Sequence, residues 1–213
     1  MAKVKAHIMI VEDESIVAMD LQYRLDSMGY GVCGVSSESS DAVNKAVTLK
    51  PDLILMDIVL KGDVDGIETA AQIHKHSDIP IVFLTAYGDD NALERAKLIQ
   101  PYGYILKPFE TRDLYTCIEM ALYKSGMEKE LKKSESKHRL LVNTIPNIVF
   151  NGYVDWSVDF FDNKVEALTG YSAEEFSQRR LKWSDCIVAE DIPAAREIFI
   201  NALKTPGKSY LRE

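Results

Sequence analysis

The sequence predicts an α/β fold: a doubly wound, five-stranded parallel sheet, followed by a smaller α+β segment. Three observations carry this reading. The runs Ile8–Val11, Leu53–Met56, Ile81–Leu84 and Tyr104–Leu106 are continuously apolar, as strands buried on both faces are. Helical patterns alternate with them, which is the signature of a parallel sheet covered on both sides. Each run also ends in polar residues of a distinctive kind: Glu12-Asp13, Asp57, Thr85 and Lys107-Pro108.

Strands are expected near 7–11, 31–36, 53–57, 80–85 and 102–106, with helices near 14–28, 38–49, 66–75, 89–99 and 110–124. The first helix carries Ile16, Met19, Leu21 to Tyr23 and Leu25 at helical spacing, and Met28-Gly29-Tyr30 ends it. Gly29 to Gly34 fits G-x-G-x-x-G letter for letter. A dinucleotide loop must follow a strand and open a helix; this stretch does the reverse and reads as a turn. His74 and His76 lie two apart on a helix, so they do not face one another as metal ligands would.

From Lys124 to His138 the composition turns polar and mixed in charge. Met127, Leu131 and Ser134 continue a three-four spacing from Leu114, Ile118 and Ala121. This suggests an extension of the fifth helix that can pair with a second copy as a short coiled coil. Gly126 weakens the helix, and a solvated flexible linker is the alternative. Beyond it, strands are expected near 147–153 and 156–161, then helices near 163–168, 173–178 and 191–204. Ser172 is placed to cap the middle one, with Glu175 completing a capping box.

Composition narrows the function classes. The chain has 213 residues, a net charge of −8 and 46% hydrophobic residues. That supports real cores and argues against nucleic acid as a direct partner. Cys33, Cys117 and Cys186 are odd in number and far apart, which fits buried thiols in a reducing compartment. The start is no signal peptide, and no apolar run reaches the ~18 residues of a membrane span. A cytoplasmic location is expected.

In a parallel sheet, ligands bind outside the carboxyl ends of the strands. Glu12, Asp13, Asp57, Thr85 and Lys107 would therefore converge on one edge. Three carboxylates pushed together repel one another, and one would keep its proton unless a cation sat among them. Mg²⁺ suits a few carboxylates, water and a phosphate oxygen. A lysine and a hydroxyl beside it would bind the other oxygens of a phosphoryl group, which is the equipment of phosphoryl transfer. No G-x-x-x-x-G-K-S/T loop is present, so the phosphoryl group arrives on something else. Asp57, alone at the end of the middle run, is the carboxylate to receive it.

These residues carry a resemblance. Positions 7–124 resemble a response-regulator receiver domain through IMIVEDE (8–14), DLILMDIVL (52–60), the Gly66 to Glu68 helix opening, IPIVFLTAYGD (79–89) and GYILKPFE (103–110). The resemblance implies a flavodoxin-like sheet of order 2-1-3-4-5 and Asp57 as phosphoacceptor. It implies Mg²⁺ held by Asp13, Asp57 and the Val59 carbonyl, with Glu12 acting through water. Lys107 would pair with the phosphoryl group, Thr85 would hydrogen-bond it, and Tyr104 would be the aromatic that turns inward on activation. The Lys107-Pro108 bond is expected to be cis. Apolar Val59 and bulky Tyr87 stand where side chains influence water access in this family, so a long-lived phosphoryl group is expected.

The segment from His138 resembles the first part of a PAS domain, most strongly in NKVEALTGYSAEEF (163–176), with Trp183-Ser184-Asp185 and Glu190-Asp191 extending the match. The expected organisation is a receiver domain over 1–124, a helical linker over 125–138 and a partial PAS-like domain over 139–213. A PAS sheet has five strands, so a piece of a longer protein is expected. The absence of histidine after His138 argues against a haem held there, and Cys186 lacks the asparagine-cysteine-arginine context of flavin light sensors. Expected partners are a histidine kinase or phosphotransfer protein and, through the last receiver helix and linker, a second copy. No nucleic acid or membrane is expected as a partner. The function implied is a phosphoacceptor switch and not an enzyme as the chain stands. The alternative is the front of a hybrid sensor histidine kinase with catalytic domains beyond residue 213.

Overall fold

The computed structural model describes residues 4–86, 90–144, 148–153, 155–162 and 164–204. The first unit, Met1–Leu131, alternates β1 (His7–Val11), α1 (Ser15–Ser27), β2 (Gly31–Ser36), α2 (Ser39–Leu49), β3 (Leu53–Asp57), α3 (Gly66–His74), β4 (Ile81–Ala86), α4 (Asp90–Lys97), β5 (Gly103–Lys107) and α5 (Thr111–Thr144). The last of these continues into the second unit, Lys132–Glu213. All neighbouring strands pair in parallel, in the order β2-β1-β3-β4-β5. The G-x-G-x-x-G letters span the end of α1 and β2, and Gly29 turns the chain at φ 84°.

The apolar runs are continuous because both sheet faces are covered. Met9, Val11, Ile54, Met56, Ile81 and Phe83 pack on one side with α2 and α3. Ile8, Ile10, Leu53, Leu55, Val82, Leu84 and Ile105 pack on the other with α1 and α5. On α1 the structure corrects the sequence reading. Ala18, Leu21 and Leu25 face the core, whereas Ile16, Met19 and Tyr23 are 83%, 68% and 76% exposed. Two rows share the three-four period on this helix, and periodicity alone does not say which one is buried.

The single apolar row expected along α5 is likewise two rows. Leu114, Ile118, Ala121 and Ser125 are buried against the sheet. Met120, Tyr123, Met127 and Leu131 are 67%, 72%, 56% and 61% exposed. At ~100° per residue they lie on roughly the opposite side of the helix. The helix is fastened by two tyrosines at the entries of β2 and β5: the Tyr30 hydroxyl donates to Glu119 and the Tyr102 hydroxyl to Glu128. Burial and the adjacent carboxylate raise the Tyr102 pKa to about 12. The helix runs unbroken through Gly126, where an added Cβ would meet nothing within 4 Å.

In the second unit, β6 (Phe150–Gly152) pairs antiparallel with β7 (Val158–Phe160). They are followed by α6 (Lys164–Thr169), α7 (Ala173–Ser177), a 3-10 turn at Trp183–Cys186 and α8 (Ile192–Lys204). A small core forms around Val158, Val165 and Phe176, with Phe160 and Trp183 against it. The Phe160 and Phe176 rings meet edge to face at 5.1 Å. The capping box is present: the Ser172 hydroxyl accepts from the Glu175 amide at 3.4 Å, and Glu175 accepts from the Ser172 amide at 2.8 Å. No helix among the described residues is long and apolar enough to cross a membrane.

One close approach fixes the end of β3. The Gly66 amide donates to the Ile58 carbonyl at 2.9 Å, and a Cβ on Gly66 would fall 1.8 Å from the Asp57 carbonyl oxygen. Gly66→Ala is expected to destabilise the first unit by about 1–3 kcal/mol through forced backbone displacement, measured by urea unfolding. Gly126→Ala should instead stabilise the chain by about 0.5–1 kcal/mol; the same measurement checks it.

Candidate functional site

Four strand ends meet at one edge of the sheet. β1 ends just before Glu12 and Asp13, and the Glu12 amide extends the ladder by donating to the Ser36 carbonyl at 2.9 Å. β3 ends on Asp57, paired in register with Leu84 of β4. β4 carries Thr85, and β5 ends on Lys107, opposite Ala86. Residues separated by as many as 95 positions thereby come into contact.

Lys107 is the centre of the arrangement. Its Nζ lies 2.7 Å from Glu12 Oε2 and 2.7 Å from Asp57 Oδ2. The Glu12 side chain is fully buried and that of Asp57 is 10% exposed. Burial raises the Glu12 pKa, the hydrogen bond from Lys107 opposes this, and the nearby Asp57 charge adds to it. For Lys107, burial favours loss of the proton, but the hydrogen bonds to Asp57 and Glu12 outweigh it and raise the pKa. For Glu12 the loss of solvation prevails over the lysine, whereas for Lys107 the two carboxylates prevail over the loss of solvation.

Backbone amides hold the carboxylates in position. The Glu14 amide donates to Glu12 Oε1 at 3.2 Å, and the Val59 amide to Asp57 Oδ1 at 3.3 Å. Asp13 lies beyond the reach of this lysine and pairs with Lys61 on the β3–α3 loop, at 3.1 Å from its Oδ2. Ligand oxygens of Glu12, Asp13 and Asp57 all lie within 4.8 Å of one another. Three carboxylates against two ammonium groups leave one negative charge over, and all the donors are hard oxygens. This donor set fits Mg²⁺ better than a softer metal.

Thr85 is 4% exposed, and its hydroxyl donates to the Ala86 carbonyl at 3.3 Å. Tyr104 stacks on Phe83 with ring centroids 6.1 Å apart. Its hydroxyl is buried and has no hydrogen-bond partner among the described residues. The Lys107-Pro108 bond is cis. Val59 is 63% exposed at the mouth of the site; Tyr87 lies outside the described residues. The structure thus brings Glu12, Asp13, Asp57 and Lys107 together and sets Thr85 on the neighbouring strand end. Sequence reasoning missed Lys61, because an exposed lysine in a loop follows no periodic pattern.

Residues 8–119 match the model of the response regulator receiver domain, and residues 158–213 match a PAS fold. The transcriptional regulatory protein PdtaR of Mycobacterium tuberculosis is 37% identical over 121 residues, 57% of this chain and 58% of that protein. The chain therefore spans little more than half the length of this relative. The signal receiver domain of a modulated diguanylate cyclase from Desulfovibrio desulfuricans is 41% identical, with a TM-score of 0.55 over 58% of this chain and 98% of that one. A structure described as a trimeric coiled coil of yeast Spc42 fused to another structure is 34% identical, with a TM-score of 0.54 over 69% of this chain and 100% of that one. With a family match over more than half of its length, the chain belongs to the response regulator receiver family.

Proposed function

We propose that the chain is a phosphoacceptor switch that takes a phosphoryl group onto Asp57. The observation that carries this reading is the bridge from the Lys107 ammonium to Glu12 and Asp57, 2.7 Å to each, beside a third carboxylate. A histidine kinase or phosphotransfer protein presents its phosphohistidine near Asp57. A carboxylate oxygen of Asp57 forms the new O–P bond as the P–N bond breaks. The imidazole keeps the electron pair and later takes a proton from water. Asp13, Asp57 and the Val59 carbonyl would hold Mg²⁺, with Glu12 behind them; the ion supplies neutralisation of the phosphoryl charge.

The remaining roles fall to this chain's own side chains. Lys107 moves its ammonium from the carboxylates to a phosphoryl oxygen. Thr85 releases the Ala86 carbonyl and donates to another. Tyr104 follows inward and gains a new setting for a hydroxyl that has no partner among the described residues. The exposed row Ile16, Met19 and Tyr23 begins one turn past Asp13 and offers an apolar surface on which a helical donor can rest. This chemistry fits a cytoplasmic protein. The similarity to the receiver domain of a modulated diguanylate cyclase supports a nucleotide cyclase as the output of the whole protein; a hybrid sensor kinase is the alternative.

We also propose that two copies pair through the outer row of α5. Met120, Tyr123, Met127 and Leu131 face away from the sheet on an unbroken helix. The fused structure with a trimeric coiled coil matches 69% of this chain, against 58% for the receiver alone, which supports α5 as a helix that extends past the receiver but not the number of copies.

Acetyl phosphate with Mg²⁺ is expected to label the wild-type protein one to one, and Asp57→Asn should abolish the label in intact-mass spectra. Stoichiometric labelling of that variant would exclude Asp57. In sedimentation at micromolar concentration the wild type should run as a dimer and the double variant Met127→Glu, Leu131→Glu as a monomer. A monomeric wild type would overturn the pairing.

A further inference from the structure

We infer that Lys61 is a displaceable counter-ion that sets the threshold for divalent-ion binding, a role that rests on the metal-site reading above. Lys107 spends its ammonium on Glu12 and Asp57 and leaves the third carboxylate to another cation. Lys61 supplies it: its Nζ sits 3.1 Å from Asp13 Oδ2. The two partners differ in setting. The Asp13 side chain is 9% exposed and that of Lys61 is 78% exposed. The carboxylate is therefore fixed, while the ammonium lies at the end of a solvated stem that can swing into water at small cost.

A divalent ion chelated by Asp13 must share that carboxylate with Lys61 or displace it. Sharing sets two cations against each other across a few ångströms, so binding is coupled to release of the lysine. The competition is weak because the ammonium is mostly solvated, and it is salt-dependent because the pair sits at the mouth of the site. Lys61 thus tunes how much Mg²⁺ the site needs without taking part in the transfer itself. Its effect belongs to the ion-loading step and not to the chemistry that follows.

The test is calorimetric titration of the full chain with MgCl₂ at low ionic strength. Lys61→Met is expected to bind Mg²⁺ about two- to fivefold more tightly than wild type, the range of a partly exposed ion pair. Lys61→Arg should stay at the wild-type value. Lys45→Met, which removes the same charge from a lysine paired with Asp41, should also stay there. The advantage of Lys61→Met should shrink as KCl is raised. The Mg²⁺ concentration for half-maximal labelling by acetyl phosphate should fall in parallel while the maximal rate is kept. Equal affinities for wild type and Lys61→Met, or an equal gain in Lys45→Met, overturn the inference. Absence of saturable Mg²⁺ binding in the wild type overturns the metal-site reading instead.

Discussion

A single ammonium shared by two carboxylates is the interaction on which the rest of the molecule depends. Glu12 and Asp57 come from different strands and are nearly withdrawn from water. Placed together without Lys107, they would repel and one would take a proton. The lysine bridges the two at 2.7 Å each and opposes their repulsion, and its own charge is favoured by them. That mutual dependence requires the ends of β1, β3 and β5 to lie at one edge, and the parallel order supplies this. The covered sheet, the helices on both faces and the glycine at the start of α3 all serve that convergence.

The arrangement is also poised. A pair of charges buried with its counter-charge is stable as a set and costly to break singly. A doubly charged phosphoryl group on Asp57 would change the charge balance at Lys107, so the lysine's partners have to rearrange. Thr85 sits on β4, next to the strand that ends on Asp57, and Tyr104 on β5 with Lys107; the Thr85 hydroxyl makes a 3.3 Å bond to the Ala86 carbonyl, and the Tyr104 hydroxyl has no partner among the described residues.

How legible this was in the sequence depended on whether the signal was local. The strands could be read because burial on both faces forces continuous apolar runs. The Ser172–Glu175 box could be read because both halves lie within one turn. The convergence of Glu12, Asp13, Asp57 and Lys107 followed from one rule about parallel sheets. Orientation was less legible. α1 and α5 each carry two apolar rows of the same period, and only packing selects the buried one. Nor did the letters reveal that Gly66 lies against the Asp57 carbonyl or that Lys61 reaches Asp13. Both are contacts between segments that no periodicity connects.

The length of α5 has a mechanical consequence. Thirty-four residues from Thr111 to Thr144 form one helix, fastened to the sheet as far as Glu128 by Tyr102. Such a rod has a defined azimuth at every position, advancing by about 100° per residue. An insertion or deletion of one residue past the clasp would therefore turn the side chains that follow it on α5 by about 100° around the helix axis, whereas a change of seven or eleven would nearly restore their facing.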